Sequence, residues 1–115
     1  MAIGVIGSSG KKNSYIDYNV TILAQTEGVD NWVADSTVGS NAYTQTVLTA
    51  DISPNLYIDG GTDFYVIPNP TTITDSALEQ FSWLSAAEST STGIKFYSIT
   101  GKPSFNIPVT IRVIY

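Results

Sequence analysis

Residues 105–115 read Phe-Asn-Ile-Pro-Val-Thr-Ile-Arg-Val-Ile-Tyr, an alternation that is typical of a β-strand with one buried face. Every odd-numbered position is apolar or aromatic, whereas the even-numbered ones include Asn106, Pro108, Thr110 and Arg112. Successive side chains of a strand point to opposite faces, so the odd positions are predicted to face a core. Because proline lacks the N–H that a sheet ladder uses, Pro108 predicts an edge strand or a bulge.

Further strands are predicted upstream of this terminal one. Residues 16–24 alternate in the same way, and their apolar face consists of Ile16, Tyr18, Val20, Ile22 and Ala24. The other predicted strands are Tyr43–Thr49, Asn55–Asp59, Asp63–Ile67 and Lys95–Ile99. Residues 60–62 are predicted to join the middle two as a hairpin, which residues 68–70 end with two prolines. The pattern predicts a mainly β fold, an antiparallel β-sandwich with one short helix.

The helix is predicted over residues 76–88. Ser76 and Glu79 fit a capping box, in which the serine would be the N-cap residue. A buried stripe at helical spacing is predicted to contain Ala77, Leu78, Phe81 and Leu84. Trp83 lies within the same segment, which favours contact with the core for its side chain.

The composition excludes several kinds of catalysis. The 115-residue chain has no Cys and no His, which excludes Ser-His-Asp and Cys-His nucleophilic sites and ordinary zinc sites. Pairs of carboxylates, as in glycosidases, need neither residue and stay open on composition alone. We predict that the protein is not an enzyme, and the sequence indicates no catalytic, cofactor-binding or metal-binding residues and no cofactor.

Charge and hydropathy limit the classes of binding partner that we expect. The formal net charge is −5, with 5 Lys and Arg against 10 Asp and Glu, so no basic stripe for nucleic acid is present. No apolar run approaches the roughly 20 residues of a membrane span, and the first residues do not fit a secretion signal. We therefore expect neither nucleic acid nor membrane as a partner, and assembly in a cytoplasm.

A few residues are candidates for ligand contact. Asp59 and Asp63 lie in one predicted turn, and Asp30 and Asp35 flank Trp32, but neither pair has the spacing of a calcium loop. Aromatic side chains could stack on sugar rings, and those considered are Trp32, Trp83 and Tyr43. For Trp32 the alternatives are ligand contact and an anchor in the core or at its rim.

From Trp32 onward the chain contains a series of short motifs in a defined order. The order is a Trp, a Tyr-Thr-Gln-Thr-Val strand, a helical stretch with Ala and Ser, Gly-aliphatic-x-Phe, Lys-Pro and an alternating terminal strand. In this chain the motifs are Trp32, Tyr43–Val47, Ser76–Glu88, Gly93–Phe96, Lys102-Pro103 and Ile107–Tyr115. The series resembles a small β-sandwich module of tailed-bacteriophage virion proteins, which include head fibres, capsid-decoration proteins and tail or baseplate appendages.

The resemblance implies a non-catalytic virion structural protein of the capsid-decorating or head-fibre type. It implies other virion proteins as partners and a homo-oligomer, often a trimer. The alternative is a tail or baseplate receptor-binding module that recognises host surface glycan, and a depolymerase fragment is a third reading. The module covers residues 30–115. Residues 1–29 are predicted to be an N-terminal strand and a segment that could dock onto the particle, within one continuous domain.

Overall fold

The computed structural model describes residues 15–37, 39, 42–48, 63–90 and 93–114. In these residues the elements are β1 (Tyr15–Ile22), β2 (Val33–Ala34), β3 (Tyr43–Leu48), β4 (Asp63–Pro68), α1 (Asp75–Phe81), β5 (Leu84–Ser89), β6 (Gly93–Ser98) and β7 (Ile107–Ile114). All pairing between strands is antiparallel. The strands form a first sheet in the order β1-β7-β4 and a second in the order β2-β3-β6-β5. The mainly β class, with two antiparallel sheets and a short helix, is confirmed.

The core lies between the inner faces of the two sheets. Its fully or almost fully buried members are Ile22, Trp32, Phe64, Val66, Ala87, Ile94, Phe96, Ile107, Val109, Ile111 and Val113. Each large side chain in such a position stabilises the fold by about 1.5–3 kcal/mol. The terminal strand therefore contributes its odd positions to the core as predicted, although Phe105 precedes β7 and is about half exposed. Tyr115 lies outside the described residues.

β7 is the central strand of the first sheet, so the prediction of an edge strand or bulge at Pro108 is wrong. Its register with β1 and β4 shows no shift. The Asn69 N–H donates to the Pro108 carbonyl at 2.9 Å, which shows that the backbone of Pro108 faces β4. Because β4 ends at Pro68, the donor that proline lacks would only have reached Asn69, beyond the last rung. A central strand tolerates Pro108 because the missing donor falls where its neighbour stops.

β1 follows the alternation predicted for residues 16–24, but ends at Ile22. Ile22 is fully buried, and Tyr18 and Val20 pack against the core. Ile16, on the same face, is 42% exposed. All eight residues of β1 pair with β7, so the segment from 15 to 22 is an integral strand of the first sheet.

The helix is shorter than predicted and begins earlier. α1 ends at Phe81, and residues 82–88 form a turn and most of β5. The N-cap residue is Thr74, whose Oγ1 accepts a hydrogen bond from the Ala77 N–H at 3.2 Å. The capping box at Ser76 and Glu79 is therefore wrong. Pairing of β5 with β6 along the sheet outweighs the helix propensity of the Leu and Ala residues in this segment.

The predicted buried stripe is only partly correct. Ala77 is buried and Phe81 packs against the core, whereas Leu78 is about half exposed. Leu84 also packs against the core, but from β5 and not from the helix. No helix in the described residues is long and apolar enough to span a bilayer.

Substitution of Thr74 and of Ser76 distinguishes the observed N-cap residue from the predicted one. We expect Thr74→Ala to lower the free energy of unfolding by about 1 kcal/mol, since it removes the oxygen that caps Ala77. Ser76→Ala, at an exposed helical position, should stay within about 0.5 kcal/mol of the native protein. Denaturant unfolding of both variants measures the difference. A larger loss of unfolding free energy for Ser76→Ala would contradict Thr74 as the N-cap residue and favour Ser76.

The remaining strands agree closely with their predictions. β3 begins at the predicted Tyr43, and β4 extends the predicted Asp63–Ile67 by one residue to Pro68. β6 begins two residues earlier than expected and ends at Ser98. The strand predicted at 55–59 and the turn at 60–62 lie outside the described residues. β2, a strand of two residues within a predicted loop, was not anticipated.

Candidate functional site

Three residues carry the chain from the first sheet toward the second, and we call residues 23–25 the crossing segment. The N–H of Leu23 donates to Gln45 Oε1 at 2.8 Å, and the Leu23 carbonyl accepts from Gln45 Nε2 at 2.9 Å. Trp32 Nε1 donates to the same carbonyl at 3.1 Å. Since Gln45 is buried in β3, its amide acts as a backbone-like partner that joins the two sheets.

Side chains also bind the rest of the crossing segment. Asn106 Oδ1 accepts from the Ala24 N–H, and Asn31 Nδ2 donates to the Ala24 carbonyl, both at 2.8 Å. The Gln25 side chain accepts from the Trp32 N–H at 3.1 Å. Side-chain hydrogen bonds thereby fix the backbone of this partly exposed, non-strand segment against both sheets.

Trp32 is a core residue. Its side chain is 1% exposed, and its indole N–H is used by the Leu23 carbonyl. Of the two alternatives considered for it, contact with a ligand is excluded in this structure and the core anchor is supported. The Trp32 ring is therefore not accessible for stacking on a sugar.

The other two aromatic candidates do not form a platform with Trp32. Trp83 lies in the turn between α1 and β5 and is half-buried, with main-chain hydrogen bonds to Gln80 and Ile99. Tyr43 packs against the core, and the ammonium group of Lys102 lies 5.2 Å from the centre of its ring.

The acidic candidates are separately engaged. Asp30 accepts a hydrogen bond from the Gln25 amide at 3.2 Å. Hydrogen bonds from the hydroxyl and N–H of Thr37 lower the pKa of Asp35, with a smaller effect from Lys95. In the described ranges no group of three or more acidic side chains could hold a metal ion. Asp59 lies outside those ranges, and only the backbone of Asp63 is described.

The outer face of the first sheet holds an aromatic and charged group that we call the tyrosine–arginine face, formed by Tyr15, Asp17, Tyr65 and Arg112. Arg112 binds Asp17 through two parallel hydrogen bonds of 2.7 and 2.9 Å. The guanidinium carbon of Arg112 lies 4.2 Å from the centre of the Tyr15 ring. Asp17, Arg112 and Tyr65 share one rung of the sheet, so strand pairing alone brings these residues together.

The ion pair of the tyrosine–arginine face stays charged over a wide pH range. Hydrogen bonding from Arg112 lowers the pKa of Asp17, and the same contact raises the pKa of Arg112. Because the folded pKa of Asp17 is depressed, its stabilising contribution is present above the unfolded pKa and is lost as pH falls through the folded one. Both side chains are about one-third exposed, so solvent keeps this contribution small.

The outer face of the second sheet carries a separate polar cluster. The Tyr97 hydroxyl donates to Glu88 Oε1 at 3.0 Å, and the Lys95 ammonium lies 5.2 Å from the Tyr97 ring centre. Burial and the neighbouring Glu88 raise the pKa of Tyr97. Tyr97 is therefore protonated at neutral pH and acts here as a hydrogen-bond donor.

The tyrosine–arginine face is difficult to predict from the sequence. Asp17 and Arg112 are 95 positions apart, and only the register of β1 against β7 places them side by side. The usable signal is that each lies on the polar face of a strongly alternating strand.

Comparison with known proteins adds no relative. A scan of protein-family models finds no family that matches the chain. Searches of curated proteins and of solved structures likewise find no match. The function must therefore be argued from the residues and their arrangement.

Proposed function

We propose that the chain is a bacteriophage virion structural protein of the capsid-decorating or head-fibre type. It binds the particle surface, with other virion proteins and further copies of itself as partners, and performs no catalysis. One observation carries the proposal: several of the residues that produce the resemblance to virion modules are fully buried in the interior of the fold. Trp32, Phe96 and Pro103 are among the largest fully buried side chains.

This coincidence supports a shared architecture. Tyr43–Val47 falls within β3, Gly93–Phe96 opens β6, and the terminal motif contains β7. Residues that bind ligands are expected on exposed loops, whereas residues that determine a fold are expected in the interior. The motifs of this chain are of the second kind, which favours a module that contributes a stable surface.

The distribution of charge supports the same role. With an acidic balance of −5, the protein repels nucleic acid and can assemble next to a packed genome without binding it. The outer faces of both sheets carry hydroxyl, amide and paired charged groups, including Thr44, Thr46 and Asn19. Such surfaces suit contact with other proteins in water.

The proposal is tested by the protein content of purified particles. Virions produced from the genome that encodes this chain would be banded on a density gradient and quantified by mass spectrometry against the major capsid protein. A capsid-decorating protein should be present in many copies, in a fixed ratio to the capsid protein. Absence from intact particles that retain the other virion proteins would refute a structural role.

A tail or baseplate receptor-binding module is the second candidate, and the tyrosine–arginine face favours it. Exposed aromatic rings stack on the apolar faces of sugars, and forked charged groups bind neighbouring hydroxyls. Tyr15 is 56% exposed beneath Arg112, and Tyr65 lies on the adjacent strand.

This second candidate predicts that Tyr15→Ala weakens binding to a host surface glycan by at least about fivefold. A panel of host cell-wall polysaccharides, measured by calorimetry, gives the affinity. Val33→Ala, which shortens an exposed side chain on the second sheet, is the matched control and should bind as the native protein does. Equal binding by the two variants, or no binding by the folded native protein, would count against a glycan receptor function.

A further inference from the structure

Among the described strands, β1 lies at the edge of the first sheet. It pairs with β7 on one side, and in the described part of the chain no strand pairs with its other side. Its eight residues contain no Pro, Gly or Lys, and no bulge interrupts its register. Prolines, lysines and bulges are features that usually keep an edge strand from pairing with another chain. In the residues that the structure describes, the edge of β1 therefore has none of these features.

The direction of the backbone groups along this edge follows from Pro108. The hydrogen bond from Asn69 shows that the N and O atoms of Pro108 face β4. Backbone N–H and C=O groups alternate in direction along a strand, so those of the odd-numbered residues of β7 point toward β1. These residues are Ile107, Val109, Ile111 and Val113. Their partners in β1 are the even-numbered residues from 16 to 22. The N–H and C=O groups of the odd-numbered residues, Tyr15, Asp17, Asn19 and Thr21, therefore point away from the sheet.

The residues along this edge are accessible. Asp17, Asn19 and Thr21 are exposed, and Tyr15 and Ile16 are the large exposed side chains of the strand. The only charge on β1 is that of Asp17, which Arg112 neutralises. Within β1 itself, neither an unpaired charge nor a buried edge opposes the approach of a second strand.

We propose that β1 pairs with β1 of a second copy of this chain, antiparallel and around a two-fold axis at Tyr18. In this register Asp17 of one copy faces Asn19 of the other, and Tyr15 faces Thr21. Each outward N–H and C=O of these residues then meets a partner. The two three-stranded sheets become one continuous sheet. This proposal specifies the self-association within the proposed function, but it does not depend on where the protein lies on a particle.

The register follows from the neighbouring alternatives. An axis at Asp17 would place two Asp17 carboxylates directly opposite each other, which is unfavourable. An axis at Asn19 would require the backbone groups of Leu23 for the outermost rung, and Gln45 and Trp32 already bind these groups. The axis at Tyr18 avoids both problems.

The inner face of the strand also gains contacts in this register. Ile16, 42% exposed in the single chain, lies opposite Val20 of the second copy, and the two Tyr18 side chains meet at the axis. Cross-strand pairs of aromatic and β-branched residues stabilise antiparallel sheets. A two-fold dimer of this kind would take the place of the trimer that the resemblance implies.

Mass and hydrogen exchange together test the dimer. In sedimentation at micromolar concentration, the native protein should have twice the 12.3 kDa mass of one chain. The amides of Asp17, Asn19 and Thr21 should exchange slowly in the dimer and faster on dilution. The amides of Tyr18 and Val20, which bind β7, should stay protected at every concentration.

A proline substitution provides the matched variant. Asn19→Pro removes an outward donor at the two central rungs and leaves the β1–β7 hydrogen bonds in place. It should raise the dissociation constant of the dimer by at least about tenfold. Asn19→Ala also loses the bond between the Asn19 and Thr110 side chains, but it keeps the N–H and should remain dimeric.

Three outcomes would overturn the proposal. They are a monomeric or trimeric mass for the native protein, rapid exchange of the outward amides at high concentration, and equal dimerisation of the Pro and Ala variants. The particle content described above is independent of all three, so the failure of one proposal is distinguishable from the failure of the other.

Discussion

Trp32→Ala is expected to lower the free energy of unfolding by about 3–5 kcal/mol, the largest effect of any single substitution considered. The substitution leaves a cavity where a side chain that is 1% exposed fills the core. It also removes the indole donor to the Leu23 carbonyl. Both losses act on the same crossing segment, so the sheets lose packing and a polar link together.

Denaturant unfolding, followed by far-UV circular dichroism, measures this loss. Trp83→Ala is the matched control, because it makes the same substitution at a half-buried turn position whose indole is not part of the core cluster. Its loss should be smaller by at least about 1 kcal/mol. Trp32→Phe keeps most of the volume and should lie between the two. Equal losses at positions 32 and 83 would contradict the assignment of Trp32 to the core.

Gln45→Leu is expected to lower the free energy of unfolding by about 1–3 kcal/mol. The substitution replaces the amide by an apolar group of similar size, so it leaves the Leu23 N–H without its partner and removes one of the two donors to the Leu23 carbonyl. A buried donor without a partner costs about 1–3 kcal/mol, and the partly buried Leu23 N–H is expected to lose part of that amount.

The neighbouring position supplies the control for Gln45. Thr46 is exposed on the outer face of the same strand, so Thr46→Val should change the free energy of unfolding by no more than about 0.5 kcal/mol. Amide exchange at Leu23 gives a local measurement, since the Gln45→Leu variant should lose protection there first. A Gln45→Leu protein as stable as the native one would show that the amide does not join the sheets.

The strands that alternate most regularly were predictable because burial on one face sets a period of two. β7 and β1 are the best examples, and their buried residues Ile22, Ile107, Val109 and Ile111 lie on the predicted face. The position of β7 within its sheet was not predictable, because Pro108 is unfavourable in a central strand unless its neighbour ends at the same rung. That coincidence depends on β4, which is remote in sequence.

The second half of the predicted helix failed for a physical reason of the same kind. Residues 84–88 include Leu, Ala and Glu, which favour helices locally, but pairing with β6 determines their conformation. A bulge between Leu84 and Ala86 also breaks the simple alternation that would have indicated a strand.

The candidate surfaces were less predictable than the fold. A buried glutamine such as Gln45 is indistinguishable in sequence from one on an outward face, and the role of Trp32 stayed open between core and ligand. The tyrosine–arginine face and the β1 edge both depend on register between distant segments. The residue types on these surfaces were predictable from the sequence, but which residues lie next to one another was not.

The location of the protein on the virion tests the proposed function most directly. Cryo-electron microscopy of particles from the encoding genome should reveal density on the outside of the capsid into which the two-sheet fold fits. Copies should recur with the symmetry of the shell, in contact with capsid protein. Density confined to the tail tip would contradict the capsid-decorating assignment in favour of the receptor-binding one. Particles that contain no such density at all would contradict both.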